Sequence, residues 1–381
     1  GMRRHLHMHP ELSNEEHATQ RYLLERMRAE GIQTARTAAG TGVVVDVTGD
    51  RQLSNRCVAM RADIDALPIK EDTGLDFASR NPGVMHACGH DAHTAMAFAA
   101  MLALHRRRDT FGGTVRFIFQ PAEEAEPLGG RRIVEEGHLD GVEAAIGIHV
   151  DPYLETGHVA VGAGPYTLAS DIFDIVLKGT SAHAAKPHEG VDALAVGCSL
   201  VGELQKLVSR ETGPFDPLVL SVTRFHAGQS YNVLADEVAI SGTIRSGRDA
   251  TRARALRRLE QVTDAVAAAY GIAAQVTVVR GEPPVVNDAA MVAVVSDAVN
   301  ESLGANALII APGWEAADDF GFYSQKVPSV YFRLGVRDPE AAEAYPLHHP
   351  RMNVDERALA LGASVLVASA LQALERPLPD P

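Results

Sequence analysis

Short apolar runs alternate with helical segments over the first 150 residues, and this alternation restricts the possible folds more than any other feature of the sequence. β-branched and apolar runs bounded by turn residues predict strands, and they occupy residues 42–48, 56–62, 114–119 and 144–148. An apolar stripe predicts a helix from about His90 to His105, and a shorter helix is expected before Gly137. This alternation favours an α/β fold with a largely parallel sheet, whose ligands collect at the C-terminal ends of the strands.

The N-terminal segment carries a helix-start signal. Ser13-Asn14-Glu15-Glu16 has the Ser-x-x-Glu form of a capping box, in which the two outer side chains bind backbone N–H groups of their own helix. Apolar residues at helical spacing continue this helix to Gly31.

The order of elements changes from about residue 169. The pattern becomes strand, helix, strand, strand, helix, strand, at 171–178, 191–209, 217–225, 237–245, 250–270 and 273–279. This order fits a small α+β sandwich of ferredoxin-like type. The α/β pattern resumes after Gly281-Glu282-Pro283-Pro284, with strands near 308 and at 329–334 and a last helix at 355–374. We therefore expect a domain of residues 169–281 inserted into a discontinuous domain of residues 1–168 and 282–381.

Composition excludes several classes of function. The formal net charge of −14 argues against nucleic acid or an anionic membrane as the main partner, because both are bound through clustered Lys and Arg. We expect a soluble, cytoplasmic protein, since no run of eighteen apolar residues occurs. Three distant cysteines do not form a disulfide framework. Cys57 and Cys198 are expected to be small buried core residues, whereas Cys88 has different neighbours.

The densest chemical cluster lies at residues 85–93 (MHACGHDAH), which hold one thiol, three imidazoles and one carboxylate. Such groups lose hydration when they are crowded into a fold and regain it only through hydrogen bonds, protons or a metal. We therefore predict a metal site. Further candidate groups follow strands or lie far along the chain: Asp65, Glu123, Glu124, His149, His348 and His349.

A hydrolytic metal centre needs ligands, an open position for water, and a base that is not itself a ligand. Glu123 and Glu124 can supply a ligand and a base, since adjacent carboxylates after a strand point in different directions. A bare Glu-Glu pair is more often a solvated turn, and a lone histidine such as His149 is more often a hydrogen-bonded core residue. Taken together, the set is large enough for two metals, which favours the ligand interpretation.

Several short motifs resemble those of the M20 metallopeptidases, and more closely their amidohydrolase branch of N-acyl-amino-acid, hippurate and auxin-conjugate hydrolases. The motifs are 6–13 (LHMHPELS), 60–68 (MRADIDALP), 86–91 (HACGHD), 120–124 (QPAEE), 147–150 (GIHV), 179–185 (GTSAHAA), Asn232, 242–245 (GTIR) and 347–350 (LHHP). The resemblance covers nearly the whole chain, and the order of the motifs makes it specific where each alone would be weak. It implies a zinc-peptidase-like catalytic domain with an inserted lid or dimerisation domain.

The resemblance also implies a dinuclear site with two divalent ions per subunit, of Zn, Mn, Ni or Co. The implied ligands are Cys88 as the bridge, together with His90, Glu124, His149 and His348. Glu123 would be the general base and later the acid that protonates the leaving amine. Other branches have a histidine ligand at the position of Asp63 and a bridging aspartate at the position of Cys88. The loss of that ligand and the gain of His90 match the amidohydrolase branch, so Asp65 is expected to orient an imidazole instead of touching metal. The resemblance does not select His86 or His93 as ligands.

The inserted domain is expected to supply the substrate side. The resemblance implies that His183 stabilises the oxyanion in the active site of a partner subunit, which predicts a homodimer. Asn232 and Arg245 would hold the substrate, the guanidinium binding a free carboxylate. Two departures from the family pattern stand out: Asp318-Asp319-Phe320 replaces a Glu-Asp-Phe turn, and His349 beside His348 leaves open which imidazole binds.

The implied activity is metal-dependent hydrolysis of the amide bond of small N-acyl amino acids. One alternative is a dipeptidase or ureido-acid amidohydrolase on the same fold. A second is a metal- or ligand-binding protein without turnover, and a third is catalysis by the Cys88 thiolate as a nucleophile.

Overall fold

A computed structural model describes residues 1–52, 54–341 and 343–376. The chain forms two compact units. The first contains Gly1–Tyr166, Val286–Gly313 and the segment from Asp319 onward, and the second contains Thr167–Val285 with Trp314–Asp318. The chain thus leaves the first unit after residue 166 and returns at 286, where the sequence placed the exchange points near 168 and 282.

The first unit is built on an eight-stranded sheet. Its strands are β1 (Arg36–Ala38), β2 (Gly42–Thr48), β3 (Cys57–Asp63), β4 (Thr114–Gln120), β5 (Ala144–Glu155), β6 (Val159–Val161), β13 (Leu308–Ile310) and β14 (Ser329–Arg337). The spatial order is β1-β2-β4-β3-β5-β14-β6-β13. Strands β4, β3, β5 and β14 pair in parallel, which confirms the mostly parallel α/β fold. Two short strands, β7 (Gly164–Pro165) and β12 (Val286–Asn287), form a separate pair.

Helices of the first unit cover this sheet. They are α1 (Met2–Met8), α2 (His17–Ala29), α3 (His90–Arg106), α4 (Gly129–Glu135), α7 (Ala289–Leu303), α8 (Gly321–Lys326) and α9 (Arg357–Glu375). By length and composition α9 could span a membrane. Its residues Val365, Leu366 and Ala370 are buried in the main hydrophobic core, so the same apolar face serves to pack the helix inside this unit.

The second unit is a β-α-β-β-α-β sandwich. Its elements are β8 (Ala169–Lys178), α5 (Ala193–Ser209), β9 (Leu218–Ala227), β10 (Glu237–Ser246), α6 (Asp249–Tyr270) and β11 (Ala273–Arg280). The antiparallel order β11-β8-β10-β9 is that of a ferredoxin-like fold. The buried face of β8 and one face of each helix form this unit's own core.

Parallel pairing brings chemical groups of the first unit to one level of the sheet. Asp63 at the end of β3 pairs in register with Gln120 at the end of β4. Arg61 pairs with Gly147 on β5, which places His149 two residues further along in the same direction. The residues that follow β3 and β4 therefore emerge beside His149, as expected for ligand sites in parallel sheets.

The predicted capping box was wrong. Helix α2 begins at His17 without a side-chain cap at Glu16, and the carboxylate of Glu11 accepts hydrogen bonds from the N–H groups of Ala18 and Thr19 instead. Ser13 and Glu16 bind more distant parts of the chain.

Two cysteine predictions also fail. Cys57 is only partly buried and Cys198 is exposed. Cys198 follows the buried residues Val196 and Gly197 on α5 and lies on the outer face of that helix.

Candidate metal centre

Cys88 and His90 reach the site because a glycine separates them. Gly89 caps the N-terminus of α3 with φ of 85°, a conformation that favours glycine. A Cβ at Gly89 would lie 2.4 Å from the side chain of Val150, so a larger residue would collide with β5. The backbone N–H of His348 donates to the carbonyl oxygen of Ala87 at 2.9 Å, which fixes this distant residue beside the cysteine.

The donor atoms form two groups that share one thiol. Cys88, His90 and His149 make one group, Cys88, Glu124 and His348 make the other, and the donor atoms of each group lie within 4.8 Å of one another. The Cys88 Sγ atom is 3.4 Å from His149 Nε2, and His348 Nε2 is 3.2 Å from Glu124 Oε1. Cys88 is therefore the residue that these two groups have in common.

Buried donor atoms without hydrogen bonds support a metal site. Among the residues that the structure describes, His90 Nε2 has no hydrogen-bond partner although it is inaccessible to solvent. Glu124 Oε1 is equally inaccessible, and apart from its ion-pair contact with His348 it accepts no hydrogen bond. The two atoms are 3.9 Å apart. Native proteins rarely leave such atoms unsatisfied, and the mixture of imidazole, thiol and carboxylate suits divalent transition metals.

The electrostatics of the ligand set call for added positive charge. Burial, together with the carboxylates of Glu124 and Glu123, holds the pKa of the Cys88 thiol well above its ordinary value. Burial alone would lower the pKa of His90, but the carboxylates of Asp63 and Asp65 outweigh it and raise that pKa to about 10. The carboxylates around His90 thus favour positive charge on its ring, and the Cys88 thiol needs a nearby cation before it ionises.

The candidate ligand His149 is held as a neutral imidazole. Burial and the adjacent His93 hold its pKa well below the ordinary value. Its Nδ1 lies 2.7 Å from the carbonyl oxygen of Val150, so Nδ1 carries the proton and donates. The lone pair on Nε2 then faces Cys88, as a metal-binding imidazole requires.

Asp65 connects three parts of the site. Its Oδ1 lies 3.1 Å from His90 Nδ1, which directs the opposite ring nitrogen toward Glu124. Its Oδ2 accepts hydrogen bonds from the Ser13 hydroxyl at 2.7 Å and from the Glu124 N–H at 3.0 Å. Burial alone would raise the pKa of Asp65, but these bonds, led by that of His90, lower it below the ordinary value. Asp65 therefore contacts the ligand-bearing residues without joining either donor group.

His93 lies within the cluster but its nitrogens are already used. Its Nδ1 is 2.6 Å from Asp63 Oδ1, and its Nε2 accepts the N–H of Val150 at 2.9 Å. The proton must therefore be on Nδ1, and no lone pair remains for a metal. His93 packs edge-on against His149, with ring centroids 4.6 Å apart, so it supports a ligand instead of being one.

A buried ion network continues behind Asp63. Arg61 donates to Asp63 at 2.6 Å and to Asp319 at 2.7 Å, and all three side chains are fully buried. Asp319 also accepts from Gln120 and from the N–H of Gly130. In the sequence, Asp319 stands out only as part of an altered acidic turn, and Arg61 only as part of the 60–68 motif, without a role.

The geometry distinguishes the neighbouring histidines of the 347–350 motif. His348 faces Glu124, as described above, with a positive φ of 65°. The ring of His349 instead stacks on Tyr345, and its Nδ1 accepts the N–H of Arg351. His86 is buried and has no hydrogen-bond partner for either ring nitrogen among the described residues, and it belongs to neither thiol-sharing group.

The predicted residues of the second unit are not all brought together. His183 forms a β-bridge with Val233, and the carbonyl oxygen of the exposed Asn232 accepts the N–H of Ala184. Arg245 lies near the far end of β10, eight residues beyond Glu237 at its start. Eight residues of strand span roughly 26 Å between Glu237 and Arg245. Asn232 and its neighbour His183 lie before the start of β10, so within one chain Arg245 is far from both.

Comparison with known proteins decides the family. The sequence profile of the peptidase family M20/M25/M40 matches residues 59–372. The chain belongs to this family. It is therefore a hydrolase, and the resemblance expected from the short motifs is confirmed.

Several known proteins are similar to this chain over most of its length. The chain is 38% identical to an N-acetyl-L-cysteine deacetylase of Bacillus subtilis, over 98% of this chain and 88% of the relative. It is 42% identical to an N-acyl-L-amino acid amidohydrolase of Geobacillus stearothermophilus, over 75% of this chain and 76% of the relative. The crystal structure of the YXEP protein of Bacillus subtilis, a dinuclear metal-binding peptidase of the M20 family, superposes with a TM-score of 0.85 at 35% identity, covering 98% of this chain and 97% of that one.

Proposed function

We propose that this protein hydrolyses the amide bond of N-acyl amino acids at a dinuclear metal site. The main support is that the Cys88 thiol belongs to two donor groups at once, one with His90 and His149 and the other with Glu124 and His348. The named activities of the Bacillus and Geobacillus relatives support the substrate class. Zinc, manganese, nickel and cobalt all suit this mixed donor set.

Glu123 is the proposed proton carrier. It is the third residue after the end of β4. It is buried, and it has a carboxylate oxygen within 4.8 Å of the donor atoms of His90 and Glu124. When bound, the metal ions supply positive charge that polarises the amide carbonyl and favours deprotonation of water. Glu123 takes that proton and later passes it to the nitrogen of the leaving amine.

The substrate side is proposed to be shared between two copies of the chain. His183 would donate a hydrogen bond to the developing oxyanion, and Arg245 would bind the free carboxylate of the amino acid. The second unit holds these groups at a distance that no small amide spans. A homodimer formed through this unit, with His183 and Asn232 from one subunit and Arg245 from the other, would satisfy that separation.

The test is a panel of acetyl, benzoyl and indole-acetyl amino acids beside dipeptides, assayed with each of the four metals. Glu123→Gln should retain two metals per chain and lose about 10²- to 10⁴-fold in kcat, the usual contribution of a general acid–base group. Glu135→Gln, an exposed glutamate on α4, is the matched control and should keep wild-type activity. A metal-loaded Glu123→Gln protein with a near-normal rate would contradict the assigned base.

The alternatives make different predictions. Cleavage of dipeptides alone would favour a peptidase, as the description of the YXEP protein suggests. A fully metal-loaded wild type without turnover on any amide would favour a binding protein. Activity that survives chelation but not thiol alkylation would favour Cys88 as a nucleophile, which its raised pKa opposes.

A further inference from the structure

A buried glutamate outside the metal ligands binds the backbone of the turn that carries Glu123. Glu16 is fully buried, and its Oε1 accepts the N–H of Ala122 at 2.7 Å. Its Oε2 accepts the hydroxyl hydrogen of Thr41. Neither contact involves a metal-ligand candidate, so the preceding description of the site assigns Glu16 no function.

We propose that Glu16 is a positioning residue for the reaction, which fixes the Ala122 peptide and thereby directs the Glu123 carboxylate. This inference rests on the proposed role of Glu123 as the base. It concerns the orientation of the Glu123 carboxylate and not the proton transfer itself. An experiment can therefore refute the role of Glu16 without refuting the role of Glu123, and the reverse.

The conformation of Ala122 shows why the turn needs support. Ala122 has φ of 48°, in the left-handed region that residues with a side chain seldom adopt. Such a conformation persists only where the surroundings impose it. The Ala122 N–H is bound by Glu16, and its carbonyl oxygen accepts the N–H of Gly129 at 2.8 Å. Both peptide groups of this residue are therefore held.

Close packing blocks other arrangements of the same turn. A Cβ at Gly129 would lie 1.7 Å from the carbonyl oxygen of Pro121, and one at Gly42 would lie 2.6 Å from the Pro121 ring. Close backbone packing thus restricts Pro121, and Glu16 supplies a side-chain contact to the next residue, Ala122.

Glu123 consequently sits between two amides held by buried carboxylates. Glu16 holds the N–H of Ala122 before it, and Asp65 Oδ2 holds the N–H of Glu124 after it. Ser13 donates to the same oxygen of Asp65. The N-terminal segment 13–16, with the sequence pattern of a helix cap, therefore braces the turn from both ends.

The test compares two neutral side chains of similar length. Glu16→Gln keeps an oxygen that accepts the Ala122 N–H, and its amide can donate to Thr41. Glu16→Met fills a similar volume without that acceptor. Glu11→Ala is the matched control, because Glu11 also binds two backbone N–H groups, those of Ala18 and Thr19, but away from the turn.

Three measurements are made on full-length, metal-loaded protein. In Glu16→Met we expect kcat to fall about 100-fold, because a misplaced catalytic group lowers the rate by about this factor. KM should change less than about threefold, because the substrate contacts are not altered. Glu16→Gln should recover kcat to within about fivefold. Hydrogen exchange of a peptide covering 120–128 should accelerate in Glu16→Met only, and every variant should hold two metals per chain.

Several outcomes would overturn the proposal. These are unchanged exchange at residues 120–128 in Glu16→Met, a loss of kcat no larger than in Glu11→Ala, or a glutamine variant as slow as the methionine variant. If Glu16→Met does not fold, Thr41→Val removes one of the two contacts of Glu16 and should lower kcat several-fold. An unchanged kcat in Thr41→Val would again refute the positioning role of Glu16. Full activity in Glu123→Gln would instead refute the proposed base, while the exchange data still decide whether Glu16 holds the turn.

Discussion

Replacing Arg61 with methionine tests the buried network behind the metal centre. Arg61 is fully buried and joins two fully buried carboxylates, Asp63 and Asp319, at 2.6 and 2.7 Å. Methionine fills most of the space of the arginine stem but removes the guanidinium that both carboxylates bind. Removing one partner of a buried ion pair costs about 3–5 kcal/mol. At about 1.4 kcal/mol per tenfold, the folding equilibrium constant falls between roughly 100-fold and 4,000-fold.

The same change should weaken metal binding. Asp63 holds His93 at 2.6 Å, and His93 accepts the N–H of Val150 beside the candidate ligand His149. Arg61 is one of the groups that keep the pKa of Asp63 well below its ordinary value against the effect of burial. Without Arg61, Asp63 takes up a proton more readily and holds His93 less firmly. Loss of such supporting contacts lowers metal affinity about 10- to 100-fold.

Arg252→Met provides the control for this experiment. Arg252 binds Asp171 in the second unit at 2.6 Å, and that carboxylate is also buried. Urea unfolding should show a comparable loss of stability for both variants, whereas competition with a chromophoric chelator should show weaker metal binding for Arg61→Met alone. The reasoning is refuted if Arg61→Met loses less than about 1 kcal/mol, or if both variants bind metal equally weakly.

Two further predictions follow from buried titrating groups. Burial alone would lower the pKa of His7, but Asp91 and Glu71 outweigh it and raise that pKa to about 9. The resulting stabilisation is complete below pH 6.5, about the pKa of histidine in the unfolded chain, and is lost as the pH rises to about 9. Over this range the thermal midpoint of the wild type should fall more steeply than that of His7→Asn. Parallel curves for the two proteins would contradict the prediction. In chelator-treated protein, iodoacetamide should modify Cys88, which is buried and has a raised pKa, at least about tenfold more slowly than exposed Cys198. Equal rates of modification by peptide mapping would contradict this prediction.

The sequence predicted best those features that follow from regular geometry. Parallel strands bring their C-terminal ends to one edge, so Glu123, Glu124 and His149 could be expected near one another before any coordinates were known. The β-α-β-β-α-β order of the second unit followed from hydrophobic periodicity for the same reason.

The failures concern contacts that a short pattern does not contain. Ser-x-x-Glu is the pattern of a capping box, yet Ser13 binds Asp65 and Glu16 binds Ala122, 52 and 106 positions away. Cys198 was expected to be buried because its segment is apolar, but α5 buries one face only. Arg61 lies within an apolar strand, and its partner Asp319 is 258 positions distant, so no local signal indicated a buried ion pair.

The support of the site reaches further along the chain than the family match. The profile begins at residue 59, but Glu16 accepts the N–H of Ala122. Ser13 donates to Asp65, which accepts the N–H of Glu124. The candidate ligands themselves run from Cys88 to His348. Among the described residues, buried His90 Nε2 and Glu124 Oε1 make no hydrogen bond, and the carboxylates of Glu123 and Glu124 lie close together. Bound cations would relieve the resulting unfavourable electrostatics. The contacts of Ser13 and Glu16 would then hold the donor atoms and the proposed base in place against that repulsion.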